Sequence, residues 1–216
     1  FFKKKNIIFF QEDIYLFLYF IVLLLLFYLL LNYGNNFSVI LLSLTSSISN
    51  IGISLDKSPQ NLSFAFLILV IIGGSFFSTS SGIRFLKLYA LFKFSINNLI
   101  LHARPKNIFL NKYPLFDVNI EDVEINKYFL SVIVFIISLF LLSSLLTISD
   151  ISLETSFKLS ILTIMNTTNS YMYGLSDFNF QDLQFFTKIY IIIFMIIGRI
   201  ELLTLLIIIK KFLFRS

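Results

Sequence analysis

Residues Ile71 to Lys93 read IIGGSFFSTSSGIRFLKLYALFK: an apolar run ends, a stretch rich in glycine and hydroxyl side chains follows between Gly73 and Gly82, and a basic helix-forming segment begins. The setting makes that break decisive. The chain is 57% hydrophobic and 13% charged, with a mean hydropathy of +0.90, a balance that calls for lipid as solvent. Backbone amides and carbonyls left unpaired in hydrocarbon are costly, so irregular backbone at membrane depth survives only where it is buried in protein or lines a wet cavity. The stretch points to a pore or a transport path.

Composition removes most other function classes. Cysteine is absent, so neither a disulfide framework nor a thiolate metal site can form. The single histidine, His102, stands near Arg104 and Pro105 and reads as a solvated loop residue. No His or Cys and no paired carboxylates lie inside an apolar segment, which argues against an intramembrane enzyme and against a cofactor. The net charge of +5 does not mark a nucleic-acid partner, because the basic residues flank apolar segments instead of interleaving with aromatics. Membrane lipid is the expected surrounding. The glycine-rich stretch lacks the lysine of a phosphate-binding loop, and the acids Asp117, Glu121, Asp122 and Glu124 read as a solvated face rather than a metal site.

A helix needs about 20 apolar residues to cross a bilayer, whereas runs of about 10 to 14 are more often buried or re-entrant. Ile14 to Leu31, Lys127 to Ile148 and Phe185 to Phe212 have spanning length. Leu62 to Ile72 is short and meets the polar break at once. Phe37 to Ile48 and Leu153 to Met165 are short, mix apolar with hydroxyl residues, and each end in a polar cluster, as half-helices would. The order span, half-helix, polar turn, span therefore occurs twice, a duplication of hydropathy pattern. The predicted units are a helix–pore loop–helix repeat over 1–94, closing in an intramembrane loop and a cytoplasmic helix, a cytoplasmic linker over 95–126, and a second repeat over 127–216.

Lysines and arginines set the orientation. Lys3, Lys4 and Lys5, the middle group Arg84, Lys87, Lys93, Arg104, Lys106, Lys112 and Lys127, and the final Lys210, Lys211 and Arg215 fall on one side, the cytoplasmic one. The other side carries Lys57, Lys158 and Lys188 among Asp56, Asp150, Glu154, Asp177 and Asp182, an acidic excess that would concentrate cations. A half-helix entering from that side turns its carbonyl end, and about half a negative charge of macrodipole, toward the membrane centre. A following turn of small residues can offer backbone carbonyls in place of a cation's hydration shell, and a glycine tolerates the backbone angles. Ser49, Asn50, Ile51, Gly52 and Ile53 suit that role, and the matching turn is Asn166, Thr167, Thr168, Asn169 and Ser170. Ordinary extracellular loops remain the alternative for both.

These residues resemble the Trk/Ktr/HKT superfamily of potassium and sodium transporters, whose subunit has four helix–pore loop–helix repeats. Gly73 to Arg84 (GGSFFSTSSGIR) is similar to the family's third-repeat intramembrane loop, Gly198 to Leu206 (GRIELLTLL) to the Gly-Arg-Leu-Glu motif of its last helix, and Ser49 to Ile53 to its third filter. The resemblance runs from about Tyr15 to Arg215 and covers repeats three and four, half of a four-repeat potassium-channel-like pore in an all-α membrane protein. Residue 1 is Phe, and residues 1–13 do not form a cleavable signal, so the expectation is a partial chain; a half-length protein that dimerises into a four-repeat pore is the alternative.

The resemblance implies a set of roles. Potassium, or sodium, would be the substrate, bound at Ser49, Asn50, Ile51, Gly52, Asn166, Thr167, Thr168, Asn169 and Ser170. Gly73, Gly74, Ser75, Ser78, Thr79, Ser80, Ser81 and Gly82 would gate the path below. Ser170 falls where the fourth filter glycine is expected, which bears on selectivity. Arg199, deep in the last span, would act as an electrostatic barrier beneath the filter; Glu201, two residues on, points to a different helix face and is a poor partner for it. Further implications are a homodimer, a cytoplasmic nucleotide-binding regulatory subunit, and a multi-pass position in the bacterial inner membrane. A nonconducting scaffold or inactive relative is the competing reading.

Overall fold

The sharp hydropathy breaks after Ser49, Ile71 and Ile164 are element breaks. The computed structural model describes residues 2–30, 37–53, 62–73, 83–103, 122–167, 171–175 and 178–199. Within them, α1 (Phe2–Leu30), α2 (Phe37–Ser49), α3 (Ser63–Ile71), α4 (Phe85–Ala103), α5 (Asp122–Ile148), α6 (Leu153–Ile164) and α7 (Phe185–Arg199) are helices. Between α3 and α4 a minimal parallel ladder joins β1 (Ile72–Gly73) to β2 (Ile83–Arg84), pairing Ile72 with Ile83 and Gly73 with Arg84.

The long helices α1 and α5 contain neither glycine nor proline, so nothing in their backbones interrupts them. α5 stops where Asp150 takes a positive φ of 65°, its amide returning to the Thr147 carbonyl at 3.2 Å. Ser152 then caps α6, its side chain accepting from the Thr155 amide. With so short a connection, α5 and α6 pack as an antiparallel hairpin.

The short helices α2, α3 and α6 hold the centre. Leu44 of α2, Phe66 and Val70 of α3, Leu142 and Leu146 of α5, and Ile164 of α6 are essentially inaccessible and share one apolar cluster. The outer helices are the reverse of a soluble protein's: α1 exposes Phe17, Leu18, Leu25 and Leu29, and α5 exposes Phe129, Ile137 and Phe140. Buried positions meanwhile include Ser43, Ser46, Ser47, Ser156, Ser160 and Thr163. Apolar outside with hydroxyls inside is the arrangement that a hydrocarbon solvent favours. Many of these hydroxyls bond the carbonyl one turn back: Ser47 to Ser43 at 2.8 Å, Ser160 to Ser156 and Thr163 to Leu159 at 2.7 Å. Among the described residues one helix, Ile125–Ile148, is long and apolar enough to cross a membrane; Ile14–Leu29 and Phe37–Ser49 are shorter apolar helices.

Several boundaries differ from the expected ones. α1 begins at Phe2 rather than near Ile14, because KKKNIIFFQED contains no helix breaker. α4 runs past Phe94 to Ala103, since apolar residues recur along Phe94 to Leu101 at helical spacing, and His102 is an exposed residue of its last turn rather than a loop residue. α5 starts at Asp122, ahead of Lys127.

α7 reaches the centre through Gly198, which sits directly on the end of α6. A Cβ built at this position would stand 2.1 Å from the Ile164 carbonyl oxygen, a backbone atom with no rotamer to retreat into. Gly198→Ala should therefore push α7 away and lower the melting temperature of the detergent-purified protein by roughly 3–10 °C, the range expected for overpacking a fitted interface. An unchanged melting temperature would mean that the two helices do not meet this closely.

Candidate functional site

The half-helices α2 and α6 end in the same backbone motif. After α2, Asn50 takes the left-handed conformation (φ 55°), its amide donates to the Ser47 carbonyl (3.4 Å) and the Ile51 amide to the Ser46 carbonyl (3.2 Å). After α6, Asn166 does likewise (φ 56°), with its amide on the Thr163 carbonyl (3.1 Å) and the Thr167 amide on the Leu162 carbonyl (2.9 Å). Both are Schellman caps, in which the two residues after the helix bond back across its last turn. Asparagine occupies the left-handed site in each because its short polar side chain tolerates that conformation better than most. Every counterpart, Ser46 and Leu162, Ser47 and Thr163, Asn50 and Asn166, Ile51 and Thr167, lies at one constant offset along the chain.

Beyond the first cap, Gly52 is buried with φ 78°, a conformation that a side chain would strain. Ser49 belongs to the helix instead of the turn, its hydroxyl donating to the Thr45 carbonyl. Ile51 is exposed and Asn50 buried. In the second turn Thr167 is buried and Asn166 donates its side-chain amide to the Met195 carbonyl of α7 at 3.0 Å. Thr168, Asn169 and Ser170 lie outside the described residues. The α7 contacts made by Asn166 and by the Ile164 carbonyl brace the second cap.

Of the expected gate residues, Gly73 belongs to the β1–β2 ladder, so the chain on either side of 74–82 is held together by backbone pairing. Gly74, Ser75, Ser78, Thr79, Ser80, Ser81 and Gly82 lie outside the described residues. Arg199 is the exposed last residue of α7, and Glu201 lies outside the described residues. No group of three or more acids and histidines able to hold a metal occurs among the described residues.

Two features escape a reading of hydropathy. One is the polar face of α2: Ser43, Ser46, Ser47 and Asn50 follow the i, i+3, i+4, i+7 spacing of one helix side and all are buried. The other is Tyr173, the last residue of a short 3₁₀ turn, Tyr171–Tyr173, that packs on α3. Tyr173 is fully buried, and its hydroxyl meets no hydrogen-bond partner among the described residues. A sequence signal for the shared caps did exist, in Ser47-Ile48-Ser49-Asn50 and Thr163-Ile164-Met165-Asn166, each a hydroxyl residue and Ile before the asparagine. On α6, Lys158 pairs with Glu154 at 2.6 Å and holds that carboxyl below the usual range, so one acid of the expected outer excess is matched by its own cation.

No protein-family model matches the chain, and no curated protein sequence matches it. Among solved structures, the fold is similar to that of the potassium transporter TrkH from Vibrio parahaemolyticus, with a TM-score of 0.78 and 19% sequence identity over 93% of this chain and 43% of that one. The chain thus spans less than half the length of the transporter chain it matches, and it shares with that part of it a helical fold.

Proposed function

We propose that the chain belongs to the Trk/Ktr/HKT superfamily, supplies the third and fourth helix–pore loop–helix repeats, and conducts potassium, with sodium as the competing ion, across the cytoplasmic membrane. The observation that carries this reading is the pair of identically capped half-helices at the centre of an assembly whose apolar residues face outward. The fold similarity to a potassium transporter supports it. Once the Schellman bonds are made, the carbonyls left at each helix end sit at the negative pole of the macrodipole and favour a cation over an anion. The turns 49–52 and 166–170 then supply the oxygens that replace water around the ion. No cofactor takes part; potassium is substrate. In this reading the protein works as a homodimer in the bacterial inner membrane, and a cytoplasmic partner carries the nucleotide site that controls it.

The shared caps also sharpen the question of selectivity. Carrying their offset one residue further along the sequence pairs Gly52 with Thr168, not with Ser170. Thr168 is therefore the position at which the second half departs from glycine. Arg199 and the 73–82 loop stand as the barrier and the gate.

Rubidium uptake in cells that lack their own potassium uptake tests the reading; flux above background supports it, and background flux in cells whose membranes contain the protein would favour a nonconducting scaffold. Gly52→Val, which forces a β-branched residue into a conformation costing an L-residue about 1–2 kcal/mol, should insert normally and lose that uptake; wild-type flux would remove Gly52 from the filter. Thr168→Gly should raise the rubidium-over-sodium ratio while Ser170→Gly leaves it unchanged, and the opposite pattern would refute the register. Arg199→Ala should increase flux without loss of protein from the membrane, whereas equal or lower flux would make the arginine a structural residue.

A further inference from the structure

The hydroxyls of the two half-helices share a common outlet, the carbonyl one turn back along their own helix. Ser47 donates to the Ser43 carbonyl at 2.8 Å, Thr45 to the Leu41 carbonyl at 2.9 Å, and Ser160 and Thr163 to the Ser156 and Leu159 carbonyls at 2.7 Å. Ser43 and Ser46 of α2 do otherwise. Both are buried, at 0% and 4% exposure, and neither hydroxyl oxygen meets a hydrogen-bond partner among the described residues. The acceptor that Ser46 would ordinarily use, the Leu42 carbonyl, already takes the Thr45 hydroxyl at 3.0 Å. Buried polar atoms in native proteins are almost always satisfied, by protein or by ordered water. Two such orphans on one face of one helix call for a single explanation.

The register between the caps shows what is particular to α2. The offset that pairs Ser46 with Leu162 pairs Ser43 with Leu159, and both leucines are buried in the apolar cluster. Those two places are therefore packed and apolar on α6, while on α2 they carry side chains that are smaller and polar. A serine fills less of the space than a leucine does, and its hydroxyl asks for a polar neighbour. α2 has no ionisable residue, so that neighbour is neutral as well as small. Water meets each condition, because it both donates and accepts. Helix positions three apart stand about 5–6 Å from each other at Cβ, a span that one water bonded to two hydroxyls bridges. We infer that Ser43 and Ser46 bind a shared buried water, so that the first half-helix is backed by solvent where the second is backed by leucine. A water held by two to four polar groups is a regular part of a protein interior. Ser46 is also the residue whose carbonyl accepts the Ile51 amide at 3.2 Å, which puts the water next to the first cap. The inference does not rest on the proposed cation path, and it holds equally for a protein that moves no ions.

The test joins thermal unfolding in detergent with diffraction from crystals of the protein at a resolution that shows ordered water. The expected map places one water within about 2.7–3.2 Å of both hydroxyl oxygens. Hydroxyls turned onto protein carbonyls, or apolar side chains closing the space beside them, overturn the inference. Ser43→Ala and Ser46→Ala should each lower the melting temperature by about 2–4 °C, the shift that one net hydrogen bond produces in a chain of this size. The double variant should lose little more than either single one, since the same water leaves in all three. The sign of the change is decisive. A buried hydroxyl that is truly unsatisfied costs stability, so removing it raises the melting temperature. A rise in either single variant therefore refutes a bound water, and losses that add in the double variant refute a shared one. If a variant does not reach the membrane, the map of the parent protein decides.

Discussion

A helix that stops away from water must dispose of the carbonyls of its last turn, and the rest of this structure follows from how α2 and α6 do so. Each cap returns two amides to two of those carbonyls: Asn50 and Ile51 to Ser47 and Ser46, Asn166 and Thr167 to Thr163 and Leu162. The remaining carbonyls, those of Ile48 and Ser49 and of Ile164 and Met165, have no intrahelical partner and lie at the negative end of the helix dipole. In the proposed function, helix-end carbonyls with no acidic side chain among the described residues beside them suit a monovalent cation, which gives up its water for oxygen ligands of modest charge. The outer helices α1 and α5 carry their large apolar residues outward, away from this polar centre.

The two caps share a backbone, but their support differs. The second is held by α7, through Gly198 against the Ile164 carbonyl and through the Asn166 side chain on the Met195 carbonyl. The first is backed by the buried serine face of α2. The second cap is therefore held by close backbone approach, which any side chain at 198 would spoil, whereas on the α2 face behind the first the Ser47 hydroxyl donates to the Ser43 carbonyl at 2.8 Å.

Much of this was legible in the sequence where hydropathy changes sharply. The predicted half-helices Phe37 to Ile48 and Leu153 to Met165 differ by one residue from α2 and α6, and Leu62 to Ile72 brackets α3. The polar clusters after them are unambiguous because a helix of apolar and hydroxyl residues cannot continue into them without exposing its core face. Boundaries set by weaker contrasts were less readable: α1 starts at Phe2 because Lys, Gln and Glu before Ile14 are good helix formers, and α4 persists to Ala103 because apolar residues at helical spacing carry it through Ser95, Asn97 and Asn98. Pairing of Ile72 with Ile83 and of Gly73 with Arg84 depends on contacts across the intervening loop, which periodicity does not encode. Gly198 stood inside a recognisable motif, yet its steric role appears only once α6 is placed against it. The asparagines at 50 and 166 were visible as turn residues, and it is their shared positive φ that converts a similarity of hydropathy into a register between the halves.

The central claim is that two capped helix ends present backbone oxygens to one dehydrated cation. Anomalous scattering from crystals of the protein grown in thallium, a potassium surrogate, addresses it directly. The account predicts a thallium peak between residues 49–52 and 166–170, surrounded by carbonyl oxygens and displaced by excess potassium. Well-ordered turns with no peak between them, or thallium held only at surface carboxylates such as Glu154 and Asp182, would contradict it.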